Sequence, residues 1–222
     1  MPRSSSDSTD KIRAKKKRFL AREERIIDKA LYLLIRDGID KVTVSAIAKE
    51  AGVGKGTVYK HFLTKTEILM RIVLDYERNI TENLRLGIQA TDSGDPGAAA
   101  RSYFKARLSN PSLDRLVQLL EIKLQGNDEV TDKMAELHKL RRTNVDALNA
   151  MIVKLIEKGI LEDVPPTYHY LACWALAQGA VEAYFNVSYG ADVEDKQDFL
   201  RFIANIGITM GNRGQLRDNK VF

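Results

Sequence analysis

The sequence lacks a second cysteine, a long apolar run and an apolar leader. Cys173 is the one cysteine among 222 residues, which excludes an internal disulfide framework and a cysteine-cluster metal site and is typical of a reducing compartment. No stretch approaches 18 consecutive apolar residues, which argues against a membrane-spanning helix. The first residues contain no apolar segment of the kind that directs secretion. We therefore expect a cytoplasmic protein with no membrane partner.

The positive charge is confined to the first third of the chain. The formal net charge is +5. Residues 1–75 carry 17 Lys and Arg against 10 Asp and Glu, a net +7, whereas residues 76–222 carry 18 against 20, a net −2. A basic module attached to a mildly acidic remainder favours binding of a polyanion by the first part. The alternative is a solvated charged surface with no partner.

Apolar residues recur with helical spacing along most of the chain. The 44% hydrophobic content is enough to build a core. No segment alternates apolar and polar residues for long enough to predict a strand, so the fold class is all-α. The stripes that predict the first two helices are Ile27, Ala30, Leu31, Leu34 and Ile35, and then Val44, Ile47, Ala48 and Ala51. Later helices are expected over about 128–158, 167–189 and 194–212.

Residues 1–18 have the composition of a disordered basic arm. Serines precede the run Lys15-Lys16-Lys17-Arg18, and little apolar content is present to hold the segment in place. Three interpretations stay open: a solvated tail, a contact to the minor groove or phosphates of DNA beside the next motif, or a remnant of protein expression.

The stretch from Thr43 to Lys65 reads TVSAIAKEAGVGKGTVYKHFLTK and predicts a helix-turn-helix, whose second helix would run from Lys55 to Phe62. Gly52 can adopt the positive φ that the turn requires. The segment Gly52–Thr57 superficially resembles a phosphate-binding loop. However, it lacks the GxxxxGK spacing and the Ser or Thr directly after the lysine, so nucleotide binding is not expected.

This motif closely resembles the signature of the tetracycline-repressor (TetR) family of bacterial transcriptional regulators. The matching residues are Ile47, Ala48, Ala51, Gly52, Val53, Gly56, Thr57, Tyr59, His61, Phe62 and Lys65. The resemblance covers about residues 23–70. It implies a three-helix DNA-binding domain followed by a helical domain that binds a ligand and dimerises.

The resemblance also implies a set of DNA contacts. Thr43 would contact phosphate and Ser45 would approach the bases. Base-edge contacts are expected from Lys55, Gly56 and Thr57, and backbone contacts from Tyr59, Lys60 and His61, with Lys65 meeting a further phosphate. Gly54 stands where many relatives have serine, so it is assigned no contact.

The second part of the chain contains a segment, Leu171–Val187, that is apolar on nearly every face. A helix of this kind has to be covered on all sides. The last helix adds an apolar stripe of Phe199, Phe202, Ile203, Ile206 and Met210. We expect a four-helix interface in a homodimer, as the resemblance implies. The alternative is a core helix of a monomer.

The long helix over about 128–158 carries Arg141 and Asn144 near its apolar face. Polar groups there need partners, which a bound ligand or an acidic residue such as Glu121 could supply. The predicted ligand-binding residues are Tyr103, Phe104, Leu120, Leu124, Arg141, Asn144, Trp174, Gln178 and Phe185, with Leu116 as a further apolar lining residue. Because few of these are charged, the expected effector is hydrophobic, acyl-chain-like or aromatic.

The sequence thus predicts a basic arm (1–18), a helix-turn-helix DNA-binding domain (19–66) and a ligand-binding and dimerisation domain (67–222). The expected function is a homodimeric regulator, in this family most often a repressor, that binds a palindromic DNA operator and is released by a small effector. We expect no enzyme activity, cofactor or metal, because no catalytic or metal-binding constellation is identifiable. An enzyme or carrier with a helical pocket and a DNA-compaction protein are the alternatives.

Overall fold

The computed structural model describes residues 5–186, 188 and 193–209, with side chains from residue 11 onwards. Helices connected by short loops make up these ranges, which contain no strand, and the all-α prediction is confirmed. None of the described helices is long and apolar enough to cross a membrane. The α-helices are α1 (Ser5–Asp37), α2 (Val44–Glu50), α3 (Lys55–Val58), α4 (Lys65–Asp92), α5 (Ala98–Leu108), α6 (Pro111–Leu124), α7 (Thr131–Glu157), α8 (Pro166–Phe185) and α9 (Lys196–Thr209).

The chain divides into two compact units. The first unit comprises residues 1–73 and 120–131, and the second comprises residues 74–119 and 132–222. The sequence analysis placed a boundary between residues 66 and 67, whereas the division in the structure falls inside α4, after Val73. The first turns of α4 belong to the first unit because their apolar residues, Ile68, Met70 and Val73, are fully buried.

Helix α1 has a different buried face from the one predicted. Ile27, Ala30 and Leu34 are buried as predicted, but Ile26 and Leu33 are buried with them, whereas Leu31 is half-buried and Ile35 is exposed. The predicted stripe is therefore rotated by about one residue. The i, i+4, i+7, i+8 spacing of residues 26, 30, 33 and 34 satisfies helical periodicity equally well.

The predicted disordered arm is wrong for residues 5–18, because α1 begins at Ser5 and continues without a break to Asp37. Residues 1–4 lie outside the described residues. Adding a residue to an existing helix needs no new nucleation step. Lys, Arg and Ala also have high helix propensity. The buried part of α1 can therefore extend as a helix into a segment that has little apolar cover.

The second unit contains the long helices of the chain's second part. A 3-10 turn (Asp128–Val130) precedes α7 at the position where the long helix was expected. Helix α8 ends at Phe185 and α9 is described to Thr209, so the predicted contributions of Tyr189 and Met210 lie outside the described residues. Helix α9 approaches α5 closely at Gly207, where a Cβ atom would overlap the Phe104 ring.

Candidate DNA-binding surface and effector cavity

The first motif helix, α2, begins at a side-chain cap. Thr43 has an extended backbone, and its Oγ1 accepts a hydrogen bond from the backbone N–H of Ala46 at 3.1 Å. The cap satisfies one of the N–H groups that a helix start leaves unpaired. Thr43 and Ser45 are both exposed at this end. Both predicted contact residues are thus accessible.

The turn between α2 and α3 depends on Gly52. Its φ of +65° lies in the left-handed region, as predicted, and a β-carbon would strain the backbone there. Gly54 is the N-cap of α3 and makes no side-chain cap, as expected from the departure noted in the sequence. The start of α3 therefore presents its backbone N–H groups without a competing side chain.

Helix α3 is shorter than predicted, since its regular part ends at Val58. The chain nevertheless continues in a turn, in which the Tyr59 N–H donates to Lys55 O at 3.2 Å and the Phe62 N–H donates to Val58 O at 2.9 Å. Val58 and Phe62 are buried and anchor the segment on one side. A second, irregular turn thereby holds residues 59–61 next to α3.

The opposite side of this segment faces solvent. Lys55, Gly56, Tyr59 and Lys60 are exposed, and Thr57 is half-buried. The Lys55 ammonium lies 5.8 Å from the centre of the Tyr59 ring. Two cations, a phenol and a hydroxyl on one short segment can donate to the base edges and phosphates of a duplex.

His61 does not belong to this exposed surface. Its side chain is 1% exposed, and its Nδ1 lies 3.5 Å from Glu23 Oε2 on α1. The ring also packs on Phe19, with 4.0 Å between ring centres. Glu23 in turn accepts a hydrogen bond from Arg71 at 2.5 Å. The prediction that His61 contacts the DNA backbone is wrong for its side chain, because burial against α1 removes the imidazole from the surface.

Lys65 begins α4 and already has a partner within the first unit. Its Nζ donates to Ile39 O at 2.7 Å. Partial burial, and then the nearby charge of Lys123, lower the pKa of Lys65, while Asp40 opposes this shift. The remaining N–H groups of the ammonium can still donate to another acceptor, because an ammonium carries three.

The second unit contains a cavity of about 310 Å³. This volume lies at the lower end of the range of small-molecule sites. Helices α4, α5, α7, α8 and α9 contribute lining residues, which are mostly apolar. They are Leu84, Pro96, Ala99, Ala100, Tyr103, Leu148, Met151, Ile152, Leu155, Leu161, Glu162, Val164, Tyr168, His169, Tyr170, Ala172, Cys173, Gly207 and Ile208.

Of the predicted ligand-binding residues, Tyr103 is the one that lines this cavity. Phe104 is buried against Gly207. Leu120 and Leu124 are buried residues of the first unit, and the cavity belongs to the second. Their assignment to the cavity is therefore wrong. Apolar residues on one stripe of a helix identify a core, but they do not identify which part of the core is empty.

Arg141 and Asn144 have a protein partner in place of a ligand. Arg141 Nε donates to Glu77 Oε2 at 2.8 Å, and Asn144 Nδ2 donates to Glu77 Oε1 at 3.3 Å and to Thr81 Oγ1 at 2.9 Å. Glu77 is buried on α4. Pairing with an acidic residue was the alternative left open by the sequence. That residue is Glu77, whereas Glu121, the example named from the sequence, lies in the first unit.

Gln178 belongs to a buried polar network beside the cavity. The centre of the network is a bidentate ion pair, in which Arg107 Nε and Nη2 each donate to a carboxylate oxygen of Asp114 at 2.8 Å. Gln178 accepts from Arg107 at 3.2 Å and donates to Gln118 at 2.5 Å. Arg107 also donates to the Tyr103 hydroxyl at 3.1 Å. Gln178 is therefore connected to the cavity wall through two hydrogen bonds, by way of Arg107 and Tyr103.

Tyr76 joins this network from α4 by donating its hydroxyl to Asp114. Burial, and then the Asp114 charge, raise the pKa of Tyr76. Burial is the largest single effect on Arg107 and would lower its pKa, but the hydrogen bond to Asp114 and the electrostatic interactions with Tyr103, Asp114 and Tyr76 together raise the pKa. Arg107 thus stays charged and Tyr76 stays a hydrogen-bond donor. Among the described residues, no buried side-chain polar atom lacks a partner.

The last two predicted cavity residues lie elsewhere. Trp174 is 45% exposed on α8. Phe185 packs on Tyr184 and lies 4.8 Å beneath the Arg115 guanidinium. Both assignments are corrected by this placement. A helix that is apolar all round gives no periodicity from which to tell its cavity side from its outer side.

The sequence analysis missed several cavity residues and the buried acids. Leu148, Ile152 and Leu155 lie on α7 and Cys173 lies on α8, and all four line the cavity, but the sequence analysis assigned none of them to a ligand. Nothing in the local sequence distinguishes Asp114 or Glu77 from an exposed acid. In the described part of the chain, no three His, Cys, Asp or Glu side chains are grouped so that they could hold a metal ion.

Comparison with known proteins agrees with the motif. A family model described as bacterial regulatory proteins, tetR family, matches residues 26–72. The HTH-type transcriptional regulator AcrR of Shigella flexneri is 32% identical over 131 residues, which cover 58% of this chain and 60% of AcrR. The chain therefore matches less than two thirds of the length of this relative.

Two solved structures show the same fold over most of their length. A bacterial regulatory protein in the tetR family from Rhodococcus RHA1 has a TM-score of 0.66 at 18% identity, covering 87% of this chain and 98% of that chain. AibR, solved in complex with isovaleryl coenzyme A and operator DNA, has a TM-score of 0.63 at 16% identity, covering 85% and 98%.

Proposed function

Because the chain belongs to the TetR family of bacterial regulatory proteins, we propose that it is a transcriptional regulator that binds duplex DNA. The observation that carries the proposal is the exposed cationic side of residues 55–60, held in place by the buried Val58 and Phe62. A short helix with this pattern is suited to the major groove. The family consists of regulators, and we propose no enzyme activity. The proposed location is the cytoplasm.

The proposed base contacts are made by Lys55, Gly56 and Thr57 at the start of α3, with Ser45 nearby in the motif. Lysine can donate to guanine O6 and N7, and the absence of a side chain at Gly56 allows the helix to approach the bases closely. The proposed phosphate contacts are made by Thr43, Tyr59, Lys60 and Lys65. His61 is left out of the set because its imidazole is buried.

We propose that the protein acts as a homodimer formed through α8 and α9. Both helices leave large apolar side chains in solvent, including Trp174 at 45% and Phe202 at 59% exposure. Tyr168, Leu171 and Ile206 are exposed on the same two helices. A second copy would cover these side chains by a two-fold four-helix interface. The two helix-turn-helix motifs of the dimer, related by a two-fold axis, would then select a palindromic operator.

The proposed effector is a small hydrophobic molecule that binds the cavity of the second unit. The predominance of Leu, Ile, Met and Ala in its lining favours an apolar ligand. An acyl or aromatic group would suit this lining. AibR, which shares the fold, was solved with isovaleryl coenzyme A, so an acyl ligand has a precedent in this architecture.

Binding in the cavity would act on α4 in two ways. Leu84 of α4 lines the cavity directly. Tyr103 lines it as well and is connected through Arg107 and Asp114 to Tyr76 of α4. Helix α4 continues from Lys65, beside the helix-turn-helix, to Asp92. An effector that prefers one position of α4 would shift the population of DNA-binding states, which is the proposed basis of repressor release.

To test the proposal, the full chain is first used to select the duplex that it binds most tightly from a pool of random sequences; this is the selected duplex. Lys55→Ala should then weaken binding to the selected site by about 10- to 100-fold, because a good base contact contributes about 1–3 kcal/mol. Its effect on random duplex should be smaller. Lys49→Ala, which removes an exposed lysine at the other end of α2, is the matched control and should change neither affinity.

Two outcomes would contradict this proposal. Equal affinity of the wild type for selected and random duplexes would favour a DNA-compaction protein. An equal loss on both duplexes in Lys55→Ala would make Lys55 a phosphate contact and would transfer base recognition to other residues.

A further inference from the structure

Helix α1 carries a straight row of cations that the helix-turn-helix does not use. Consecutive members are separated by four, three, four, three and four residues, so the row advances 18 residues in five helical turns and stays on one face. We call it the α1 cationic row. Its members are Lys11, Lys15, Arg18, Arg22, Arg25 and Lys29.

The middle of the α1 cationic row is open to solvent. Lys15, Arg18 and Arg22 are exposed, and among the described side chains no ion pair or hydrogen bond is recorded for these three residues. The neighbouring acids are engaged elsewhere, since Glu23 and Glu24 both bind Arg71. Lys29 at one end of the row lies 3.6 Å from Glu50, and Lys11 at the other end also has an interaction partner, so the open part of the row is Lys15, Arg18 and Arg22.

The arrangement is unfavourable for an isolated helix. Lys11 and Lys15, and then Arg18 and Arg22, are like charges at i, i+4, and such pairs destabilise a helix. Apolar cover does not compensate for this, since Ile12 is 66% exposed. A polyanion laid along Lys15, Arg18 and Arg22 would reduce the repulsion and supply counter-charges for these three residues.

The middle of the row lies close to residues 59–61, which follow α3 in the first unit. Phe19, between Arg18 and Arg22, packs on His61 immediately after the exposed residues Tyr59 and Lys60. Lys15 to Arg22 then extends over about 10 Å of helix, at 1.5 Å per residue. This length equals about three phosphate spacings of one DNA strand when they are measured along the duplex axis, at about 3.4 Å each. The row therefore continues a cationic surface that the proposed function already assigns to DNA.

We propose that Lys15, Arg18 and Arg22 form a second DNA-contact surface, which binds the phosphate backbone of the duplex next to the bases read by α3. The inference rests on the proposed function and extends its site from residues 43–65 to α1. These contacts bind phosphates, so they add affinity and salt dependence and carry no base specificity. A rigid helical extension, rather than a disordered arm, would hold the three cations in register with the strand.

The test compares two triple variants that remove equal charge from the first unit. The row variant is Lys15→Gln, Arg18→Gln and Arg22→Gln. The control variant is Arg13→Gln, Lys17→Gln and Lys49→Gln, of which the first two positions lie on the opposite side of α1 and all three are exposed. Glutamine has nearly the helix propensity of lysine and arginine. Circular dichroism should show equal helix content in both variants and in the wild type.

The measurement is the slope of log K against log salt concentration on the selected duplex. Each lost phosphate contact reduces the size of this negative slope by about 0.9. The slope of the row variant should therefore be less steep by about 2.7 per subunit, and the variant should bind roughly tenfold or more weakly. The control variant should keep nearly the wild-type slope. The affinity ratio between selected and random duplex should stay the same in both variants.

Failure of the inference differs from failure of the proposed function. A wild type that prefers no duplex sequence contradicts the proposed function. If the wild type is specific, the inference alone is overturned by either of two results. The first is that the slope of the row variant becomes less steep by under about 1, and the second is that it changes only as much as the slope of the control variant. If the row variant instead loses binding only to phosphatidylglycerol vesicles, the row is a membrane-binding surface and the inference is likewise wrong.

Discussion

The two compact units use positive charge in opposite ways. In the first unit, Lys55 and Lys60 point into solvent from a short segment. In the second unit, Arg107 is buried against Asp114, and Arg141 reaches the buried Glu77. Lys55 and Lys60 are thus available to a partner, whereas Arg107 and Arg141 are neutralised by acidic residues of the second unit.

The difference follows from the cost of burying charge. A buried ion loses its hydration, and only a well-placed counter-charge with further hydrogen bonds compensates for that loss. Arg107 has Asp114, Tyr103 and Gln178 as partners. An exposed lysine has no such requirement, so it can be kept for binding. A polar residue on an apolar helix face therefore indicates an internal partner before it indicates a ligand.

The largest effect is expected from breaking the buried pair of the second unit. Asp114→Ala leaves the Arg107 guanidinium buried without its counter-charge, which should cost roughly 3–5 kcal/mol of the free energy of unfolding. Urea denaturation at a fixed protein concentration measures the change. The double variant Arg107→Leu with Asp114→Leu should be less destabilised than the single variant.

The exposed pair of Glu82 and Arg85 on α4 supplies the control. Glu82→Ala should leave the urea midpoint unchanged, because water solvates the remaining arginine. A loss in Glu82→Ala as large as that in Asp114→Ala would show that burial does not distinguish the two pairs.

The sequence was informative for the first unit because its site is local. The turn at Gly52, the cap at Thr43 and the exposed side of α3 all depend on residues within a few positions of one another. Turn and cap chemistry of this kind can be read from a single stretch. His61 was the exception, because its burial depends on Phe19 and Glu23, about forty positions earlier in the chain.

The second unit could be predicted as helices but not as a site. Its helices follow from periodicity and from breaks such as Gly159. The partners of Arg141 and Gln178 lie 60 to 71 residues away in the chain. Such pairs are set by how the helices pack, and an apolar stripe does not reveal where packing leaves a cavity. Trp174 and Phe104 were misassigned for this reason.

The alkylation rate of Cys173 in the second unit can be compared with that of a cysteine placed at an exposed position of the first unit. Burial raises the pKa of the Cys173 thiol to about 11. The shift of about two units should lower the thiolate fraction, and hence the rate of alkylation at pH 8, by about a hundredfold. Iodoacetamide labelling followed by mass spectrometry measures the rate. An exposed reference is Lys60→Cys in a Cys173→Ala background, which should react at close to the ordinary thiol rate. Equal rates at the two positions would contradict the assignment of Cys173 to a buried wall.

His61 and Tyr59 separate structural from DNA-contacting side chains inside the first unit. His61→Ala removes a ring that is 1% exposed and packed on Phe19, which should lower the free energy of unfolding by roughly 1–3 kcal/mol. Tyr59→Ala removes a side chain that is 42% exposed and should leave stability nearly unchanged while weakening DNA binding. Urea denaturation and DNA titration of the folded variants measure the two effects. The reverse pattern would restore His61 as a DNA contact.

The cavity tests the proposed link between the second unit and DNA binding, because a side chain that fills it should act on α4 as an effector would. Ala100 is half-buried on α5 and lines the cavity. In Ala100→Phe, the added ring would occupy space that an apolar ligand needs. The neutral dye Nile red should then bind roughly tenfold more weakly, as expected from the steric sensitivity of apolar pockets. Ala135→Phe places the same ring on an exposed position of α7 and is the control. Ala100→Phe should also weaken binding to the selected duplex, because Leu84 of α4 lines the same cavity, whereas Ala135→Phe should bind the duplex like the wild type. Weaker dye binding by Ala100→Phe with unchanged DNA binding would show that occupancy of the cavity does not act on α4, and this would contradict the proposed basis of repressor release.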